Sequence, residues 1–251
     1  MKSVDKIKGI KKSKRKLVCL TAYSKPIAKI LDKYCDIVLV GDSVATAFYG
    51  MKSTREIKLD TMITHSISVK KALTKSILVF DMPFNTYKNI KEAKKNVREV
   101  FRKSRCDAVK FENNGKNFNI VRSLVEAKIP VMGHIGYTPQ FKKKFKTQGS
   151  KKDEEKKLIK EAEMIERAGA FSIVLECIEK KAAKTITKKI NIPTIGIGSS
   201  NSCDGQILVT DDLLGLSGFY PKFVKKYANL RSIIESAVRK FKKDVKNKKF
   251  P

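Results

Sequence analysis

The chain has 251 residues, with 55 Lys and Arg against 25 Asp and Glu, a formal net charge of +30 and 41% hydrophobic residues. That apolar share falls in short separated runs, which excludes intrinsic disorder and also any segment near the roughly 18 apolar residues of a membrane helix. The length suits one large α/β domain or two small ones, and the chain is read as a single domain over residues 1–251.

In chain order, Lys16 to Ala22 reads as a strand and Ser24 to Tyr34 as a helix whose Ile27, Ile30 and Leu31 form an apolar face. Ile37 to Val40 is a second strand, running into Gly41-Asp42-Ser43. A helical pattern over Leu59 to Leu73 precedes a strand at Ser76 to Phe80, which ends at Asp81-Met-Pro83. A helix over Asn89 to Ser104, a strand over Ala108 to Glu112, a helix over Lys116 to Ala127 and a strand over Ile129 to His134 follow. Asp153 to Ala168 is an amphipathic helix stopped by Gly169, and Phe171 to Glu176 is the next strand. After a helix over Glu179 to Ile190, Pro193 to Gly198 and Gln206 to Val209 complete eight strands. Pro221 to Ala228 and Leu230 to Asn247 read as lysine-rich helices.

Short, continuously apolar strands alternating with helices imply a parallel sheet covered on both sides. Eight such units in about 250 residues match a (β/α)8 TIM barrel. A doubly wound open sheet is the alternative, but no G-x-G-x-x-G follows the first strand.

The charged residues fall at strand ends: Asp42, Asp81, Lys110 with Glu112, His134 and Glu176. In a barrel these ends meet on one face, where active sites are built. Each also has a structural reading: Asp42 and Ser43 can cap a helix, Asp81 can fix a turn, and His134 between glycines can be a satisfied core histidine. Their common register favours the site. Lys110 and Glu112, two apart, share one side of their strand. Asp42, Asp81 and Glu112 supply oxygen ligands without a Cys/His set, which suits Mg²⁺ better than zinc. A 2-oxo acid fits such a centre, with Lys110 as a second positive contact and Glu176 free to act as a base.

The ordered segments Leu20-Thr-Ala-Tyr23, Val40-Gly-Asp-Ser43, Asp81-Met-Pro-Phe84, Val109-Lys-Phe-Glu112, Gly133 to Gln140, Leu175-Glu-Cys177, Ile192 to Gly198, Asp204 to Val209 and Pro221 to Tyr227 resemble the ketopantoate hydroxymethyltransferase family over nearly the whole length, including Phe250-Pro251. The resemblance implies a barrel like those of phosphoenolpyruvate mutase and isocitrate lyase. It implies one-carbon transfer from 5,10-methylenetetrahydrofolate to 3-methyl-2-oxobutanoate, giving 2-dehydropantoate for pantothenate and coenzyme A synthesis. Carried over by motif, Asp42, Asp81 and Glu112 are expected to hold one Mg²⁺ per subunit. Asp42, Ser43, Asp81 and Lys110 are expected to contact the 2-oxo acid, Glu176 to accept the proton, and His134 to support the site. The family also implies a homo-oligomer, a decamer.

Where the family commonly has Gly-Asp-Ser-Leu-Gly, Lys-x-Glu-Gly-Gly and a glycine-rich loop, this chain has Val44-Ala45, Asn113-Asn114 and Phe141 to Lys146. Lost glycines restrict backbone approach and loop closure. A Mg²⁺-dependent 2-oxo acid lyase or aldolase of the same superfamily is the alternative activity. Nucleic acid and membrane are not expected partners: Lys outnumbers Arg 46 to 9 and is spread over nearly every helix, as in a solvated coat. Cys19, Cys35, Cys106, Cys177 and Cys203 show no C-x-x-C spacing and read as reduced thiols. The apolar stretch Leu17 to Tyr23 is too short for a signal peptide, so the chain reads as unprocessed and cytosolic.

Overall fold

The structure is a computed structural model that describes residues 4–142, 144–218 and 221–250. Its chain runs α1 (Val4–Gly9), β1 (Leu17–Thr21), α2 (Lys25–Leu31), β2 (Ile37–Val40), α3 (Val44–Ala47), α4 (Leu59–Lys70), β3 (Ile77–Asp81), α5 (Ile90–Ser104), β4 (Ala108–Glu112) and α6 (Phe118–Glu126). It continues through β5 (Val131–Gly136), α7 (Lys152–Arg167), β6 (Ser172–Glu176), α8 (Lys180–Lys189), β7 (Thr194–Ile197), β8 (Gly205–Leu208), α9 (Thr210–Leu214) and α10 (Leu230–Lys246). The eight strands pair in sequence order, parallel, and close into a barrel. The expected TIM barrel is therefore the observed fold.

Period two divides each strand between two apolar cores. Leu17, Cys19, Ile37, Leu39, Ile77, Val79, Ala108, Met132, Val174 and Ile195 belong to one cluster, which Ile7 and Ile10 of the N-terminal segment join. The alternate residues, such as Val38, Val40, Leu78, Phe80, Val109, Phe111 and Ile173, pack with the helices. Helix α7 approaches β5 closely because of Gly133, where a Cβ would lie 2.5 Å from Ile165 Cγ2. Asn89 caps α5 by accepting from Glu92 N at 2.9 Å, a contact worth about 1 kcal/mol.

Three aspartates stand immediately before strands and tie neighbouring strands together. Asp36, before β2, accepts from Val18 N; Asp107, before β4, accepts from Leu78 N; Asp204, before β8, accepts from Thr194 N. Lys70 pairs with Asp107, Lys11 with Asp204 and Arg15 with Asp36. Asp32, just beyond α2, accepts from the backbone N–H groups of Thr74, Lys75 and Ser76 and from the Thr74 hydroxyl. Burial opposes its charge, but these donors outweigh burial and hold the carboxyl well below its ordinary range.

Besides shifts of a residue or two at element ends, the elements depart from the sequence pattern in four places. Strand β5 begins at Val131 rather than Ile129, because Ile129 N still bonds to Leu124 O at the end of α6. Helices α1, α3 and α9, of 6, 4 and 5 residues, are too short to show periodicity. Asp42 lies two residues past the end of β2 instead of in the strand. The helix expected over Pro221 to Ala228 is absent: the segment forms turns, and Tyr227 N donates to Leu213 O rather than within its own turn. Lys143 of the altered loop and Pro251 of the terminal motif lie outside the described residues.

By its contacts the chain forms two compact units, 1–207 and 208–251. The first contains nearly all of the barrel. In the second, Gly215 ends α9 with φ 73°, where a Cβ would lie 2.4 Å from Ala228 O. No helix among the described residues is long and apolar enough to cross a membrane.

Candidate active site

Strand parity carries the apolar interior directly into a charged mouth. Ile77 and Val79 are followed inward by Asp81, Ala108 by Lys110 and Glu112, Met132 by His134, and Val174 by Glu176. Register then sets the neighbours: Asp81 stands beside Lys110, Glu112 beside His134 and Gly136 beside Glu176. Asp42 arrives by another route. Gly41 takes the position after Val40, where a Cβ would sit 2.8 Å from Ser43 Oγ, and the turn brings Asp42 N to 3.3 Å from Asp81 Oδ2.

The predicted residues form one connected group. Lys110 Nζ donates to both oxygens of Asp81, at 2.7 and 2.8 Å. His134 lies between two carboxylates, with Nδ1 3.6 Å from Glu112 Oε1 and Nε2 3.1 Å from Glu176 Oε2, although neither nitrogen meets hydrogen-bond geometry. Ser43 Oγ pairs with Tyr23 OH at 2.8 Å. The side chain of Glu176 is 18% exposed, whereas those of Asp81, Lys110, Glu112 and His134 are 5% exposed or less. Glu176 is thus the carboxylate of this group that reaches the opening.

Crowding of acids in a buried site shifts their titration. Burial and the Asp81 charge push Asp42 up to about 7. Burial and neighbouring Asp42 raise Glu112 well above the usual carboxylate range, and burial raises Glu176 to about 8 against the opposing pull of Lys110. Burial also lowers His134, so its ring is neutral at physiological pH. For Lys110, burial disfavours the charge, but Asp81, Glu112 and Asp42 outweigh it and hold the ammonium protonated.

Comparison with known proteins gives the family. The family model for ketopantoate hydroxymethyltransferase matches residues 1–251. The chain belongs to this family. It is 51% identical over 241 residues to the 3-methyl-2-oxobutanoate hydroxymethyltransferase of Pelagibacter ubique (strain HTCC1062), covering 96% of this chain and 94% of that one. Against the protein of the same name from Anaplasma marginale (strain Florida), identity is 47% over 245 residues, covering 96% and 88%. Among solved structures, 2,3-dimethylmalate lyase, a PEP mutase/isocitrate lyase superfamily member, superimposes with TM-score 0.65 at 13% identity, covering 99% of this chain and 86% of that one. That likeness establishes the barrel type.

Ketopantoate hydroxymethyltransferase membership implies a metal and a folate co-substrate, and the residues present test the first. Among the described residues, no three His, Cys, Asp or Glu side chains are already gathered in ligating geometry. Asp81 gives both oxygens to Lys110, and Asp42 gives one to Gln140. The chemistry nevertheless fits a hard dication. Asp42, Asp81, Glu112 and Glu176 have Lys110 as their main positive neighbour among the described residues, and Glu112 Oε1 is buried without a hydrogen-bond partner. A cation here would take the place of protons that the crowded acids otherwise retain.

Two further residues, which are not charged strand ends, belong to the network. Gln140 is fully buried between Asp42 and Glu112, and Tyr87 donates to its amide oxygen. The available signal was the place of Gln140 at the end of the Gly133 to Gln140 segment, four residues past β5.

Proposed function

We propose that the protein transfers a hydroxymethyl group from 5,10-methylenetetrahydrofolate to 3-methyl-2-oxobutanoate, giving 2-dehydropantoate, the first step of pantothenate synthesis. The observation that carries the chemistry is the placement of Glu176, whose side chain reaches the mouth of an otherwise buried acid and lysine cluster with Oε2 3.1 Å from His134 Nε2, and whose acidity burial weakens. In a member of this family, such a group is suited to remove a proton from carbon at neutral pH.

Lys110 and Ser43 bind and orient the anionic 2-oxo acid, with Asp42 and Asp81 beside them. Mg²⁺ held by Asp42, Asp81 and Glu112 would polarise the keto group and so acidify C3. Glu176 accepts the C3 proton, and His134, neutral and 3.1 Å away, supports the orientation of that carboxylate. The resulting enolate carbon forms a bond to the donor's methylene carbon. Cleavage of the methylene's bonds to the folate nitrogens releases tetrahydrofolate, and water supplies the hydroxyl oxygen. Cytoplasmic location and a decameric assembly belong to the same reading, the latter measurable as a mass in solution.

Purified protein with Mg²⁺, 3-methyl-2-oxobutanoate and methylenetetrahydrofolate should yield 2-dehydropantoate by mass spectrometry. In D₂O without folate it should exchange the C3 proton. Exchange without the folate-dependent product would overturn the transferase assignment while retaining the enolising site.

A further inference from the structure

We propose that Gln140, backed by Tyr87, is a positioning residue that sets which oxygens of Asp42 and Glu112 are left for a divalent cation. This rests on the metal site named above and goes beyond it, because neither residue is part of that ligand set.

Gln140 follows β5 in a turn where Phe141 N and Lys142 N both bond back to Thr138 O. The turn delivers the residue inward, where it is 0% exposed. Its backbone N donates to Glu112 Oε2 at 2.9 Å, while its side-chain Nε2 donates to Asp42 Oδ2 at 2.8 Å and to Met82 O at 3.0 Å. Its Oε1 accepts from Tyr87 OH. Both side-chain N–H groups and the amide oxygen are therefore engaged.

The partners also fix the direction of the amide. Two acceptors, a carboxylate and a carbonyl, face Nε2, and a hydroxyl donor faces Oε1. A flipped amide would turn its oxygen towards both acceptors and leave the Tyr87 hydroxyl opposite an NH₂ group. Tyr87 is itself held edge-on against Phe111 at 4.8 Å between ring centroids.

One consequence follows for the carboxylates. Gln140 occupies one oxygen of Asp42 and one of Glu112, residues that come from the loop after β2 and from β4. The remaining Glu112 oxygen, Oε1, is buried without a hydrogen-bond partner, with His134 Nδ1 3.6 Å away. A single residue thus links two elements of the barrel mouth and leaves one oxygen of each acid for an incoming ligand. Groups that orient metal ligands from behind commonly control affinity by about 10- to 100-fold.

The test uses Mn²⁺ as the probe, with affinity measured by calorimetry and melting temperature recorded on each variant. Gln140→Met conserves volume and removes the side-chain hydrogen bonds; it should weaken Mn²⁺ binding about 10- to 100-fold. Tyr87→Phe should weaken it roughly 3- to 10-fold, and the double variant should match Gln140→Met alone, since Tyr87 acts through Gln140. Asp42→Asn and Glu112→Gln serve as controls. If these controls abolish binding while a folded Gln140→Met retains wild-type affinity, the positioning role is overturned and the metal site stands. If Gln140→Met does not fold, unchanged affinity in Tyr87→Phe overturns the role equally. Binding that ignores Asp42 and Glu112 overturns the metal site, and the proposal with it.

Discussion

At the rim where the strands begin, Asp36, Asp107 and Asp204 each accept a backbone N–H and pair with a cation, and nearby Asp32 gathers four donors. At the rim where they end, Asp42, Asp81, Glu112 and Glu176 share Lys110 as their main positive neighbour, and Glu112 keeps a buried oxygen without a hydrogen-bond partner. The same residue types thus meet opposite surroundings. Satisfied carboxylates stabilise closure of the sheet, while under-satisfied ones store unfavourable electrostatics that a ligand can relieve.

That contrast can be broken by substitution. The largest effect is expected for Glu176→Gln, which should slow C3 exchange by about 10²- to 10⁴-fold without lowering the melting temperature. Exchange within a few fold of wild type would remove Glu176 as the base. Next, Asp32→Ala should cost about 2–4 kcal/mol in denaturant unfolding by leaving its donors unpaired, with KM for the 2-oxo acid unchanged.

Acidity should separate the rims further. The Asp32 carboxyl is lower when folded than when unfolded, so its stabilising contribution is complete above about pH 4 and is lost as pH falls below that. Asp42 and Glu176 are raised to about 7 and about 8, so they oppose folding as pH rises from about 4 towards 8. Asp42→Asn should therefore stabilise the metal-free protein at pH 8, on the order of 1–3 kcal/mol, while weakening Mg²⁺ binding. Equal stability at pH 5 and pH 8 for wild type and variant would contradict this account. The smallest effect, about 1 kcal/mol, is expected for Asn89→Ala, which removes the α5 cap and should leave both rims unaltered in chemical denaturation and exchange assays.

The barrel was legible because its strands are continuous apolar runs with charges at one end. Asp81, Lys110, Glu112, His134 and Glu176 were legible for the same reason, since period two assigns them to the interior. Asp42 was recognisable by motif, but its approach through the Gly41 turn depends on space visible only in three dimensions. Gln140 carries no charge, and its importance lies in partners 28 and 98 residues away in sequence. The aspartates of the opposite rim resemble ordinary turn residues until their acceptors are paired with Val18, Leu78 and Thr194. Pro221 to Ala228, read as a lysine-rich helix, is only eight residues long, too short to hold a helix on its own, and Tyr227 N bonds to Leu213 O instead.

The pairing of β4 with its neighbours has a further consequence, for quality control. Asp81 meets Lys110 and Glu112 meets His134 only in one alignment of these strands. A slip of one residue would present Val109 and Phe111 to the interior and turn the lysine and glutamate towards the helices. Such a barrel would lose its chemistry and bury two charges in an oily layer at the same moment. Misassembled molecules would therefore be silent and short-lived rather than partly active, and catalytic output would serve as a direct gauge of correctly closed barrels.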